Sequence, residues 1–527
     1  MIYIIVTLFY MIFIGRTEKE YLLIMKKLLS LFLIVTMIFM LFIMFSCGKN
    51  DSGNANGNDS NAANNGEVAD GGSGGETDGK VDKWAQEAVS FPDTDFGGRE
   101  FNVVTVEVAD ANRMYDYFSA EEQTGDPIID ALYTRRLRAE EKFNVAMKTK
   151  MIGSPADNAR KSILAGDNEY DLIVDTIGNV RNLSTQRLLA DLYAVPYIKD
   201  DMDKPWWDQA LIRDLSINGK VYFQAGNIVL RDKLRVSCMY FNKDMCKSLG
   251  LEYPYKYVYD GTWTIDKMLE VTKGVNMDLN GDGVMDQYDQ WGFMSQHEFG
   301  FHLFISSGEK TITLNKDGVP EITINSQRAM NVIQKALEVC IDPVNMFHAD
   351  TIKGSGNVWL TASEYFQEDR FLMRASVFEP IPRDLRAMPT DFGILPTVKF
   401  DESQENYYAY AEMSGLVIGI PMNADLEFSG LITEFLAYES GTTLMPAFYD
   451  LCLTSKVLRD DESEGMLDII FGSRVYDIGY IYSIGNLSTI LNELVSGKST
   501  DFVSKFEKSQ GNIEKALDKF IDSYGQA

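Results

Sequence analysis

The chain has 527 residues, 45% of them apolar and 12% aromatic, enough for a folded body of two or more domains and too apolar for a disordered one. Its formal charge of −28 gives a surface that repels phosphates, which excludes nucleic acid as a partner.

In chain order, residues 1–24 carry an apolar run, 2–14, followed by charged residues at 16–20. Translation is expected to start at Met25, leaving 1–24 as an upstream extension. From there Lys26 and Lys27 precede the apolar run 28–45, interrupted only by Ser30 and Thr36, and then Ser46-Cys47-Gly48. The order of residues 25–46 resembles a bacterial lipoprotein signal peptide, in which Cys47 is lipidated and becomes the new first residue. Met44 and Phe45 depart from that pattern, and a run of 18 residues is also just long enough to be an uncleaved membrane anchor. Both readings tether the body to the outer face of a bacterial cell membrane, Gram-positive by the resemblance. Residues 47–82, nearly all Asn, Gly, Ser, Asp and Ala, cannot bury a core and form a flexible tether with a reach on the order of 30 Å.

The body then alternates strands and helices. Residues 101–106 predict a strand, 128–143 an amphipathic helix, 145–151 a strand, 157–165 a helix and 170–175 a strand, with the apolar 188–192 after it. This order predicts an α/β fold with an open, mostly parallel sheet whose ligands gather at the strand ends, one of which is Asp175. Cys238, Cys246, Cys340 and Cys452 are scattered through apolar or helical contexts and read as buried free thiols rather than a disulfide frame.

Residues 278–289 carry the chain's most specific local pattern. Asp278, Asn280, Asp282, Asp286 and Asp289 place oxygen side chains at positions 1, 3, 5, 9 and 12, Gly283 stands at position 6, and Val284 offers its carbonyl at position 7. A hard dication needs that many oxygens and the sharp turn needs that glycine, so the loop predicts bound Ca2+. Asp289 is shorter than the glutamate usual at position 12. A predicted helix at 264–273 and strand at 290–294 flank the loop; with no second helix to open, the ion would be structural.

Further pieces resemble the extracellular solute-binding proteins of sugar ABC transporters, family 1. They are Tyr170-Asp171-Leu172-Ile173 followed by Leu188-Leu189-Ala190-Asp191-Leu192, then Phe241-Asn242-Lys243-Asp244, Gly261-Thr262-Trp263-Thr264 opening a helix, and Asp391-Phe392-Gly393-Ile394-Leu395-Pro396. The resemblance implies a two-lobed, periplasmic-binding-protein-like clamshell with an open, mostly parallel sheet in each lobe. Lobe one would comprise 83–232 plus 422–460 and lobe two 233–421 plus 461–527, with Lys456, Arg459, Asp460 and Glu462 near the last crossing. It also implies a carbohydrate ligand, permease subunits as partners, and a monomer.

Sugar sites need aromatic faces against the ring's C–H surface and planar polar groups for the hydroxyls. By position in the family pattern the candidates are Asp175 and Asn179 on lobe one, Arg235 at the crossing, and Glu298, Phe299, Phe378 and Glu379 on lobe two. Two aromatic clusters could either touch ligand or pack the core. One holds Trp206 and Trp207; in the other, strand alternation puts Tyr408 and Tyr410 on one face and Tyr407 on the opposite one. Trp263, at a helix start, reads as packing.

Enzyme-like fragments lose their force on inspection. His297 and His302 are five apart rather than the four of a helical zinc pair, and His348 is the only other histidine. The Gly497-Lys498-Ser499 tripeptide has no leading strand and reads as a helix C-terminal turn. Two function classes remain: a binding protein that closes on a sugar, and a lipid-anchored carbohydrate hydrolase that uses two cleft carboxylates. The binding reading, without catalysis, is the expectation.

Overall fold

Apolar β-branched runs set the first layer. In the computed structural model, which describes residues 86–108, 113–454 and 461–525, strand β1 (Arg99–Val106) lies between β2 (Val145–Ile152) and β3 (Leu172–Thr176), parallel to both. The two crossover helices, Pro127–Phe143 and Pro155–Ala165, start where the sequence permits. Asp126 accepts the N–H groups of Ile128 and Ile129 ahead of Pro127, and Gly166 takes the left-handed turn that ends the second helix. Each element falls within a few residues of its predicted span.

The chain then leaves this sheet at the short helix Arg231–Leu234 and enters a second one through β4 (Ser237–Asn242), fully buried along its length. There follow β5 (Trp291–Ser295), the hairpin β6 (Ile312–Leu314) with β7 (Pro320–Ile322), then β8 (Phe347–His348), β9 (Phe371–Val377) and β10 (Phe392–Leu395). The second sheet runs β10-β4-β9-β5-β8; β5 is parallel to β8 and β9, while β4 is antiparallel to β9 and β10. A two-residue strand β11 (Ala409–Tyr410) pairs with the later β13 (Arg474–Val475), and between them β12 (Leu416–Gly419) returns to the first sheet, antiparallel to β3. The architecture is two-lobed α/β, with one open sheet in each lobe.

The return therefore comes at Leu416, ahead of the expected boundary at 422, because the apolar run around β12 completes the first sheet rather than the second. The C-terminal helix Phe502–Tyr524, expected with lobe two, also reaches lobe one. Its Tyr524 hydroxyl lies 3.1 Å from that of Ser184, and Arg187 donates to the carbonyl of Ser523 at 2.8 Å. The upstream extension, the signal segment, Cys47, the tether, and Lys456, Arg459 and Asp460 lie outside the described residues. Cys238, Cys246 and Cys340 are buried free thiols, and Cys452 is buried as well. No helix among the described residues is long and apolar enough to cross a membrane.

Candidate functional site

Three stretches of chain meet where the lobes join. The N–H of Phe378 donates to the Val236 carbonyl, that of Glu379 to the Leu234 carbonyl, and that of Glu412 to the Arg235 carbonyl. Backbone bonds thus fix the end of β9 and the return segment against the first crossing, and they place Arg235 between two carboxylates. Its guanidinium lies 2.7 Å from Glu379 and 3.2 Å from Glu412. Glu379 is also reached by Arg383 at 3.1 Å, and the Ser414 hydroxyl donates to Glu412 at 2.7 Å. From lobe one, the loop that ends in Met114–Asp116 brings Asp116 to within 3.2 Å of Arg231.

Glu298 stands at the edge of this group, at the start of the helix Phe299–Ser306. Burial pushes its carboxyl up to about 8, the nearby acids Glu412 and Asp350 push the same way, and Arg235 opposes them. Beneath it a ring cluster packs: His302 against Tyr410 at 4.9 Å, and Tyr410 against Tyr480 at 4.9 Å and Phe301 at 5.3 Å. The charged planar groups can hydrogen-bond the hydroxyls of a polyhydroxylated ligand, whereas Tyr410, His302 and Phe301 are buried and only Tyr480 keeps a partly exposed ring.

The other sequence candidates are not part of this group. Asp175 ends β3 fully buried, and its oxygens are already engaged by the N–H groups of Ala156 and Thr176 and by the side-chain amide of the exposed Asn179. It braces the start of the helix Pro155–Ala165. Phe299 is enclosed against Phe293 and Phe378 against Phe471, neither with exposed surface. Trp207 is buried, its indole donating to Glu434. Tyr408, half-buried, lines a cavity of about 670 Å³ together with Arg213, Lys310 and Arg474, whereas Tyr410 points into the ring cluster. Trp263 is fully buried and donates to the Pro396 carbonyl, as its packing role requires. The structure thus brings Arg235, Glu298, Glu379 and Tyr410 together, turns the buried rings of Phe299 and Phe378 into the core beside them, and leaves Asp175, Asn179, Trp207 and Tyr408 elsewhere.

Sequence reasoning missed Glu412 and a buried lock behind the crossing. Arg474, from β13, lies 3.1 Å from Asp208 and 2.9 Å from Asp232, and Lys233 lies 3.1 Å from Asp232. Tyr476 donates its hydroxyl to Asp208 at 2.7 Å. The available signal was the charged run Arg231-Asp232-Lys233 directly after the apolar 228–230, where burial demands partners.

In the 278–289 loop, the predicted oxygen side chains all accept backbone N–H groups from within the loop. Asp278 accepts from Gly281 and Gly283, Asn280 from Asp282, Asp282 from Val284, Asp286 from Tyr288, and Asp289 from Leu279 and Asp286. The helix Ile265–Thr272 precedes it and β5 follows, the helix-loop-strand order expected. The donor set of five oxygen side chains and one carbonyl suits a hard cation. Among the described residues, three acidic or histidine ligand atoms come within 4.8 Å of one another only at His297, His348 and Asp350, so an ion in the loop would have to draw its carboxylates closer.

No family model matches the chain, and no curated protein matches its sequence. Solved structures do match its fold. A maltose/maltodextrin-binding domain from Bdellovibrio bacteriovorus superposes with a TM-score of 0.50 at 14% identity, covering 80% of this chain and 100% of its own. The fold is that of the substrate-binding proteins of sugar ABC transporters. A cyclo/maltodextrin-binding protein gives a TM-score of 0.50 at 14% identity, covering 83% of this chain and 99% of its own. An open-conformation sugar transporter from Rhizobium etli gives 0.51 at 12%, covering 81% and 99%. This periplasmic-binding-protein-like fold accounts for the crossing at Arg231–Leu234 and the return at β12: the first lobe is built from discontinuous stretches of chain, so the junction is where separate segments must be tied together.

Proposed function

We propose that the chain is a lipid-anchored extracellular receptor that captures a carbohydrate, an oligosaccharide, between its lobes and delivers it to the permease of an ABC transporter. The observation that carries this reading is the junction: Arg235 at the first crossing holds one carboxylate from the end of β9 and one from the return segment, with Glu298 and the Tyr410 ring cluster beside it, where lobe closure would surround a solute. Two of the fold neighbours support the ligand class, one bound to maltotriose and the other complexed with maltotetraose. The protein acts by binding rather than turnover, and the cell-surface tether on Cys47 keeps it near its permease.

The test is thermal shift of the compact body, residues 80–527, against a panel of mono- and oligosaccharides, with chromatography of each hit. A stabilising glycan recovered intact is the expected result. A glycan recovered as fragments would replace the receptor with a hydrolase, and silence across the panel would remove carbohydrate as the ligand class.

The calcium reading belongs to the same proposal, as a staple between the helix Ile265–Thr272 and β5. An ion that binds only the folded chain stabilises it by about 2.7 kcal/mol at a hundred times its Kd. Calorimetry in calcium against EGTA should show that difference as a raised melting temperature, and Asp282→Asn should shrink it. An unchanged melting temperature would remove the ion from the account.

A further inference from the structure

The three histidines are too far apart in sequence to suggest a metal site, but the parallel pairing of β5 with β8 brings two of them together. Ser295 pairs with His348, so His297, just past the end of β5, lies over the end of β8. The His297 and His348 rings are 4.8 Å apart between centroids. Asp350, two residues beyond His348, brings a carboxylate oxygen to 3.5 Å from Nδ1 of His297 and accepts the His297 backbone N–H at 2.7 Å. Ligand atoms of all three residues lie within 4.8 Å of one another.

The decisive detail is the His348 ring. Its Nε2 lies 2.7 Å from the Cys340 carbonyl oxygen, which can only accept, so Nε2 carries the proton. Nδ1 is therefore a lone pair, and it is sealed from solvent with no hydrogen-bond partner. A buried acceptor left unmet costs free energy unless something fills it. A backbone carbonyl that fixes one ring nitrogen and leaves the other as a free lone pair is the usual support of a metal-binding histidine.

We infer that His297, His348 and Asp350 bind a divalent transition metal of the zinc class. Two imidazole nitrogens and one carboxylate oxygen form a borderline-soft set, unlike the all-oxygen loop at 278–289. Tetrahedral zinc with ligand bonds near 2.1 Å sets neighbouring ligand atoms about 3.4 Å apart, which the His297–Asp350 pair already matches. His297 and Asp350 remain partly exposed, so the site is open to entry from solvent. It lies at the C-terminal ends of parallel strands, where open α/β sheets place their ligands. Three protein ligands leave a fourth position for water or another donor, beside Glu298 at the lobe junction.

The test is zinc titration of the chelator-stripped full chain by calorimetry, with cobalt as an absorbing substitute. One equivalent of zinc should bind, cobalt should give the visible bands of a four-coordinate nitrogen–oxygen site, and His297→Gln, His348→Gln and Asp350→Asn should each weaken zinc by about tenfold or more. His297→Gln is the informative variant if His348→Gln fails to fold, since His297 is partly exposed. Asp282→Asn in the acidic loop should leave zinc affinity unchanged. No saturable zinc binding, or binding that survives His297→Gln but is lost in Asp282→Asn, would overturn the inference.

Discussion

Replacing Arg235 with methionine should lower stability by about 3 kcal/mol and uncouple the lobes' crossings. The side chain is only 16% exposed and lies between Glu379, at 8%, and Glu412, at 25%. Removing one partner of a buried ion pair costs about 3–5 kcal/mol, because the charge left behind loses its compensation. The lower figure applies here, since Glu379 keeps Arg383 and Glu412 keeps the Ser414 hydroxyl and some solvent. Most of the loss should come from Glu412, so Arg235→Met combined with Glu412→Gln should recover part of it. Arg235→Lys should fall between, because an ammonium cannot present two donors in a fixed fork. Urea unfolding followed by circular dichroism measures all three. A loss under 1 kcal/mol for Arg235→Met would show that the junction is held by its backbone bonds alone. On the proposed function, the same variant should also lose any sugar-induced thermal shift.

How much of this was legible in the sequence depended on distance along the chain. Strands β1 and β3 were readable because buried parallel strands leave apolar runs, and the helix Pro127–Phe143 because its apolar residues recur at helical spacing. The loop at 278–289 was readable because all its oxygens fall within twelve residues. Arg235 and Glu379 could be named only by family position, since 144 residues separate them and no local pattern links them. Arg474 and Asp232 are 242 apart. Aromatics were the least legible: Phe299 and Phe378 have no exposed surface, while Tyr410 lies in the junction cluster, and a ring looks the same in sequence whether it packs a core or lines a cleft. The sheet that β12 joins is a matter of topology, which its own residues do not encode. Likewise, the five-residue spacing of His297 and His302 hid the pairing with His348, which only the parallel register of β5 and β8 creates.

A second large effect should appear with pH, at Glu434 in the core of lobe one. The side chain, on the helix Leu426–Thr442, has no solvent exposure, and its two oxygens accept the indole N–H groups of Trp206 at 2.5 Å and Trp207 at 2.9 Å. Burial raises its carboxyl to about 8; the two indole bonds pull the other way but are outweighed. A proton held more tightly in the folded chain than in the unfolded one stabilises the fold fully below the free-glutamate value of about 4.5, and that contribution is lost as pH rises through about 8. The loss should total on the order of 5 kcal/mol between pH 4.5 and 9. Glu434→Gln removes the titration, but its single carbonyl oxygen can accept only one of the two indoles, which leaves a buried donor unmet at a cost of about 1–3 kcal/mol. The wild-type chain should therefore be the more stable at pH 5 and the variant at pH 9, with their urea midpoints crossing between. Parallel curves would show that Glu434 stays in one charge state across this range and that its two indole bonds, not its proton, decide its contribution.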